Sequence, residues 1–345
     1  VAEKTLLDIP IDLVWDAQQG AVMRVQLYVL GETHRILGEF SSTARGIILD
    51  AADEDGTLDG LGLSVAITGL ENAWDDSFSE WLEIFQALRW EAASIPFGSL
   101  AVMHRSFVTQ ALEESRLQEQ EEIPVLFEEQ IQAIIEAANQ RIYGDGLQLS
   151  ERVWNLSQQS IEGIRQLVFQ GVAEQDSAWN IAERLEPYLG FGNECPRWTR
   201  TRLYGLTKQE IADGRRTGLY SGAECAGQGV AYKGLRLARN ELQAVHHGAT
   251  DTVMGKMPWI EQEQINLSPD HPDIGCECED IVVGGEDGDG VYPKGTIILP
   301  VHVQCLCYKT AVLMDEGDFV DQLRGWSSGT STWSAMDAYA NWLGV

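Results

Sequence analysis

The chain has 345 residues, with 53 acidic and 24 basic side chains and a formal net charge of −29 at pH 7. That length allows two domains, or one large domain with appendages. A surface this acidic repels nucleic-acid phosphates, because affinity for them comes largely from Lys and Arg displacing counterions, so sequence-specific DNA binding by the whole chain is not expected. No apolar run approaches the roughly 18–20 residues that cross a bilayer. The longest, Ile95–Met103, is broken by Pro96 and Gly98. The chain does not open on a basic segment followed by an apolar stretch, so the expectation is a protein made and kept in a cytoplasm.

The first part reads as helical. Ala21–Leu37 carries apolar residues at Val22, Val25, Val29, Ile36 and Leu37. A break follows at Ala51–Gly62, where Asp53, Asp55 and Gly56 look faintly like a calcium loop. The loop's first and last ligand positions are Ala51 and Gly62, which lack carboxylates, so no ion is expected there. Leu70–Trp90 places Trp74, Phe78, Trp81, Leu82, Phe85 and Leu88 at helical spacing. Pro96 and Gly98 punctuate, and Leu100–Glu119 continues as helix. The Glu/Gln-rich run Glu113–Glu122 reads as an exposed helix end, and Pro124–Arg141 as another helix.

At Tyr143-Gly-Asp-Gly146 the pattern changes. Helices are predicted from Ser150, over Ser160–Gly171 and over Ala178–Leu189, the last capped by Asp176 or Ser177. Pro196–Gly218 reads as a long basic helix. The basic stretch Arg197–Arg239 is either a solvated, ion-paired face or a dock for an acidic partner or packaged DNA. Short strands are predicted at Gly229–Tyr232, Ile281–Val283 and Thr296–Val303. Trp333, Met336, Tyr339, Trp342 and Leu343 fit a terminal amphipathic helix that covers its own core or docks on another subunit. The fold class is α+β: a helical region over 1–142 suited to binding a partner, a helix-rich domain over 143–315 that closes in a small cysteine-stapled β region, and an amphipathic tail over 316–345.

Chemistry concentrates near the end. Four of the six cysteines lie in His271-Pro-Asp-Ile-Gly-Cys276-Glu-Cys278 and His302-Val-Gln-Cys305-Leu-Cys307. Thiolates and imidazoles are soft donors that zinc takes four at a time in tetrahedral geometry. The candidate set is Cys276, Cys278, Cys305 and Cys307, or one in which His302 replaces a cysteine. Disulfides across the two arms and unbridged core thiols are the alternatives, the former disfavoured in a reducing compartment. In each case the role is structural, since a small β region with little apolar content benefits from a staple.

A zinc-dependent hydrolase, a nuclease or peptidase using His246 or His247, is the competing reading. Adjacent histidines on a helix point in different directions, so both do not easily bind one ion. A structural or hydrogen-bonding role fits them better. The sequence carries no Gly-rich phosphate loop, no Gly-x-Ser-x-Gly elbow and no nucleotide fingerprint. Cys195 and Cys225 stand alone and read as packed thiols. His34 and His104 lie in helical patterns.

The order of features is similar to that of a known family. Helices through Ser150–Leu189 precede the basic helix, Gly229-Val-Ala-Tyr-Lys233, Arg239-Asn-Glu-Leu-Gln-Ala-Val-His-His247, an acidic cysteine region, and Tyr-Pro-Lys-Gly followed by Leu-Pro-Val-His302-Val-Gln-Cys305-Leu-Cys307. Over roughly residues 145–310 the chain resembles the phage Mu F-type minor head proteins, also called phage head morphogenesis proteins. Val303 stands where that family often has Pro, Leu306 where Arg is usual, and Thr207-Lys208-Gln209-Glu210 where it has Arg-Thr-Glu. The positions carried over are His247 or His246, His302, Cys305 and Cys307, with Cys276 and Cys278 as the facing arm. The resemblance implies a low-copy, non-enzymatic virion protein that joins the head in the host cytoplasm. It also implies association with the portal or major capsid protein and proximity to packaged DNA in packaging or ejection; no membrane partner is expected, since no apolar run is long enough to span a bilayer. Such domains also look like carriers fused to toxins, but no domain of adequate size follows residue 310.

Overall fold

The structure, a computed structural model, describes residues 11–111, 123–143, 146–189, 230–268, 276–285, 287–302 and 305–343. The expectations for Glu113–Glu122, the basic helix Pro196–Gly218, Cys195, Cys225, Gly229, His271 and Val303 lie outside the described residues. The fold is α+β and mostly helical, with one small antiparallel sheet and clustered cysteines near the C-terminus. In chain order the elements are α1 (Ile11–Asp50), α2 (Gly60–Ala111), α3 (Ile123–Gln140), α4 (Leu149–Ala173), α5 (Ala178–Leu189), α6 (Val230–Lys256), β1 (Ile260–Asn266), α7 (Glu277–Val282), β2 (Val291–Pro293), β3 (Tyr308–Leu313), α8 (Glu316–Ser327) and α9 (Ser334–Leu343). The chain forms two compact units. One comprises Val1–Val25, Arg89–Ala138 and Asn240–Val345, the other Gln26–Leu88 and Asn139–Arg239.

The second of these has an all-helical core. Phe40, Trp74, Phe78, Trp81 and Phe85 form a ladder of ring contacts, with successive centroids 5.2–5.7 Å apart. Each buried indole N–H in it finds an oxygen: Trp74 donates to Ser157 and Trp81 to Thr33, both at 3.0 Å. That satisfies the polar edge of a ring that otherwise belongs in a core. Helix α4 starts with a capping box between Gln148 and Glu151. Helix α5 starts where the Ser177 hydroxyl accepts the Asn180 N–H. In the turn after α1, the Asp53 carboxylate accepts the N–H groups of Asp55 and Thr57, the latter holding it below the usual carboxylate range.

The other unit carries the sheet, in the order β2-β1-β3 with both pairings antiparallel. Glu263 pairs with Ala311 and Ile265 with Lys309, so alternation puts these four side chains on one face. The aromatic cluster of Trp259, Phe319, Tyr339 and Trp342 ties α8 and α9 to the loop before β1. Met336 and Tyr339 are buried there, so α9 covers a core of its own chain.

Three strand expectations give way. Residues 230–232 open α6, because Ala231, Leu235, Ala238, Leu242, Val245, Ala249 and Val253 form a buried stripe at helical spacing. Residues 281–282 end α7, whose first turn holds Glu277, Glu279 and Asp280, the charge a helix N-terminus favours. Residues 296–302 form turns: Thr296 N–H donates to Pro293 and Ile297 N–H to the Glu263 carboxylate, so no ladder forms. Helix α2 also continues past Pro96, where the sequence had suggested punctuation.

Candidate metal centre

Both cysteine arms are bent by short local structure. Cys276 is the N-cap of α7 and Cys278 lies in its first turn, so one helix start presents two sulfurs. In the other arm Cys305 N–H donates to the His302 carbonyl at 3.1 Å, a turn that brings His302 back towards the sulfurs. Cys307 ends this arm immediately before β3. Cys278, Cys305, Cys307 and Leu299 make a small buried cluster, with Leu267, Ile297 and Val301 packed on it.

The arms meet. Cys276, Cys278 and His302 form one group, and Cys278, Cys305 and Cys307 another, each with its ligand atoms within 4.8 Å of one another. These five residues therefore lie close enough to hold a metal ion. Cys278 belongs to both groups. Its Sγ is 3.3 Å from His302 Nε2 and 3.6 Å from Cys305 Sγ. Zinc–sulfur bonds of about 2.3 Å set tetrahedral edges of about 3.8 Å, close to these separations. None of the four cysteines is in a disulfide, and the 3.6 Å gap is far beyond a bond of about 2.05 Å.

The thiols are electrostatically coupled. Hydrogen bonds from Cys278 and Cys307 hold the Cys305 thiol far below the ordinary thiol range. The same contacts, Cys305 first and then Cys307, push Cys278 strongly up. Cys307 rises to about 12; the Cys278 contact lowers it, but Cys305 and burial outweigh that. One thiolate is thus favoured in the cluster and a second opposed. A divalent ion inverts that balance and lets all the sulfurs ionise.

His246 and His247 are both 1 % exposed on α6, with ring centroids 5.4 Å apart and planes at 61°. Pro96 has no N–H, which leaves the carbonyl of Ala92, four residues earlier, without its helical donor. His246 Nδ1 lies 3.3 Å from that carbonyl, and since a carbonyl only accepts, Nδ1 carries the proton. Burial pushes the His246 imidazole down to about 4 against the pull of this bond. Neither histidine joins the metal-capable groups, which hold His302 as their imidazole.

Sequence reasoning missed the support beneath the site. Lys309 on β3 is fully buried and donates to Asp251 of α6 at 2.6 Å, to Glu263 of β1 at 3.1 Å and to the Ile297 carbonyl. Glu263 also accepts Ile297 N–H at 2.9 Å and Gly295 N–H at 3.1 Å, fixing the loop that leads to His302. Burial raises Asp251 against the opposing pull of Lys309. The signal was a Lys two residues after Cys307, on the inward face of a strand too short to show its alternation. Of the basic stretch, Lys233 and Arg236 are exposed while Arg239 is buried.

No protein-family model, no curated protein and no solved structure matches this chain.

Proposed function

We propose that the chain is a structural minor head protein of a tailed phage, associated with the portal or capsid, whose C-terminal α+β region is closed by one zinc ion. The observation that carries this reading is the convergence of both cysteine arms and His302 in the region where the resemblance to the Mu F-type proteins lies. Zinc suits the donors: thiolate and imidazole, with no redox demand, in a buried pocket with the closed character of a structural site. Cys278, Cys305 and Cys307 supply the sulfurs and His302 the fourth donor. Cys276, half-buried at the N-cap position of α7, stays outside the first coordination sphere.

The chain's residues then act as a frame. The ion ties the start of α7 to the entrance of β3, while Lys309 and Glu263 hold the intervening loop. Burial of His246 and His247 weighs against the hydrolase alternative, which needs them open to substrate. The acidic surface suits a protein that sits near DNA without gripping it.

Elemental analysis of the full chain tests the staple: about one zinc per chain, lost in Cys278→Ser and His302→Ala but kept in Cys276→Ser. Free, titratable thiols without metal would remove it. Particle composition tests the larger reading: the protein co-purifies with portal or capsid protein and turns over neither nucleic acid nor peptide. Its absence from purified particles, or metal-dependent cleavage lost in His247→Ala, would overturn that assignment.

A further inference from the structure

The donors of the metal centre fall into two groups rather than one. Cys276, Cys278 and His302 make an outer group, and Cys278, Cys305 and Cys307 an inner one. Within each, the ligand atoms lie within 4.8 Å of one another, and the two groups have only Cys278 in common. They also differ in burial: all three inner sulfurs are buried, whereas Cys276 and His302 are half-buried. An ion with three ligands at about 2.3 Å, the length of a zinc–sulfur bond, sets triangle edges of about 4.0 Å. Cys278 Sγ lies 3.3 Å from His302 Nε2 in the outer group and 3.6 Å from Cys305 Sγ in the inner one, both close to that edge. A single zinc takes four donors and so draws on both groups at once. Copper(I) differs, because its closed d shell and single charge are satisfied by three ligands, and thiolate is among the soft donors that select it. One thiolate sulfur also has lone pairs enough for two such ions.

We propose that the cluster also takes a pair of soft monovalent ions of the copper(I) type, one in each group, with the Cys278 thiolate bridging them. Cys278, Cys305 and Cys307 hold the inner ion, and Cys276, Cys278 and His302 the outer one. Each thiol gives its proton to solvent on binding, and no electron moves. This rests on the same convergence of the two arms as the zinc reading, but it gives Cys276, which the zinc leaves aside, a ligand's role. The half-buried flank makes the outer ion the more exchangeable of the two.

The test uses the full chain with Cys195→Ser and Cys225→Ser, which leaves the four cluster thiols as its only ones. The metal-free protein is titrated without oxygen with copper(I), and with silver(I) as its magnetic-resonance analogue. Two ions per chain are expected, falling to one when Cys276→Ser is added. Proton–silver-109 correlation spectra should show two silver resonances, both reached from the Cys278 β-protons. Cys305 and Cys307 should share one of them, and Cys276 should reach the other. A single ion per chain in excess metal, two silver resonances with none in common at Cys278, or two ions retained after Cys276→Ser would each overturn the proposal. Zinc content measured on the same protein keeps the two readings apart. One zinc with a single silver removes only this proposal, and two bridged silvers without zinc uptake remove only the zinc reading. Should the substituted chain fail to fold, the silver spectrum of the unaltered chain decides, since the β-protons identify each ion by its cysteines.

Discussion

Pro96 removes one backbone donor from the middle of a long helix, and His246 supplies another from α6. Replacing His246 with Leu should cost about 1–3 kcal/mol in urea denaturation, since it orphans a buried carbonyl. In a Pro96→Ala background, where the backbone N–H returns, the same change should cost about 1 kcal/mol less; equal costs would show the two residues to be uncoupled. The histidine also sets a pH dependence. Its pKa drops from 6.5 to about 4 on folding, so the unfolded chain binds more protons between these values. This contribution to stability is complete above about pH 6.5 and is lost as pH falls towards 4, by about 3 kcal/mol at most. Denaturation at pH 7 and pH 4.5 should show a smaller drop in His246→Gln than in wild type. Lys309→Met leaves Glu263 buried without its cation and should cost about 3–5 kcal/mol; a loss under about 1 kcal/mol would mean the network is not held dry.

Among the elements, α4 and α5 pack through glycine. A Cβ on Gly171 would lie 2.5 Å from Ile181 Cγ1, so the two helices approach over a bare backbone. Gly171→Ala should therefore destabilise the protein by about 1–3 kcal/mol despite its better helix propensity, measurable as a lower denaturation midpoint. Gly255, with open space around its Cβ position, is the control, where the same change should be neutral or stabilising. The long helices were legible because Trp74, Phe78, Trp81 and Phe85 recur at helical spacing. The strands were not. Ile260–Asn266 reads Ile-Glu-Gln-Glu-Gln-Ile-Asn, in which the inward Glu263 looks like surface until Lys309 is seen opposite it. Conversely Thr296–Leu299 looks β-prone, but its backbone donors go to turns and to Glu263.

In the molecule as a whole, the small sheet carries the cysteine cluster while the unit built from residues 26–88 and 139–239 has a helical core of its own. On the zinc reading proposed above, a chelator should therefore raise hydrogen exchange in α7, β1 and β3 and leave α4 and α5 protected. Uniform loss of protection would show that the staple supports more than its own region. The charge of −29 makes a second prediction: the intact protein should bind duplex DNA too weakly to measure at physiological salt. Tight binding would mean that a local basic surface overrides the overall repulsion.

The acidic character, the helical first part, the terminal amphipathic helix and the residues of the metal-capable cluster all follow from composition, periodicity and short spacing. Those properties are local, so one strand of text contains them. Which sulfur belongs to both metal-capable groups, that His302 and not His246 or His247 joins them, and that Lys309 lies buried between two carboxylates are set by contacts between residues far apart in the chain. Such contacts depend on register and packing, and a buried Lys or His is written with the same letter as an exposed one.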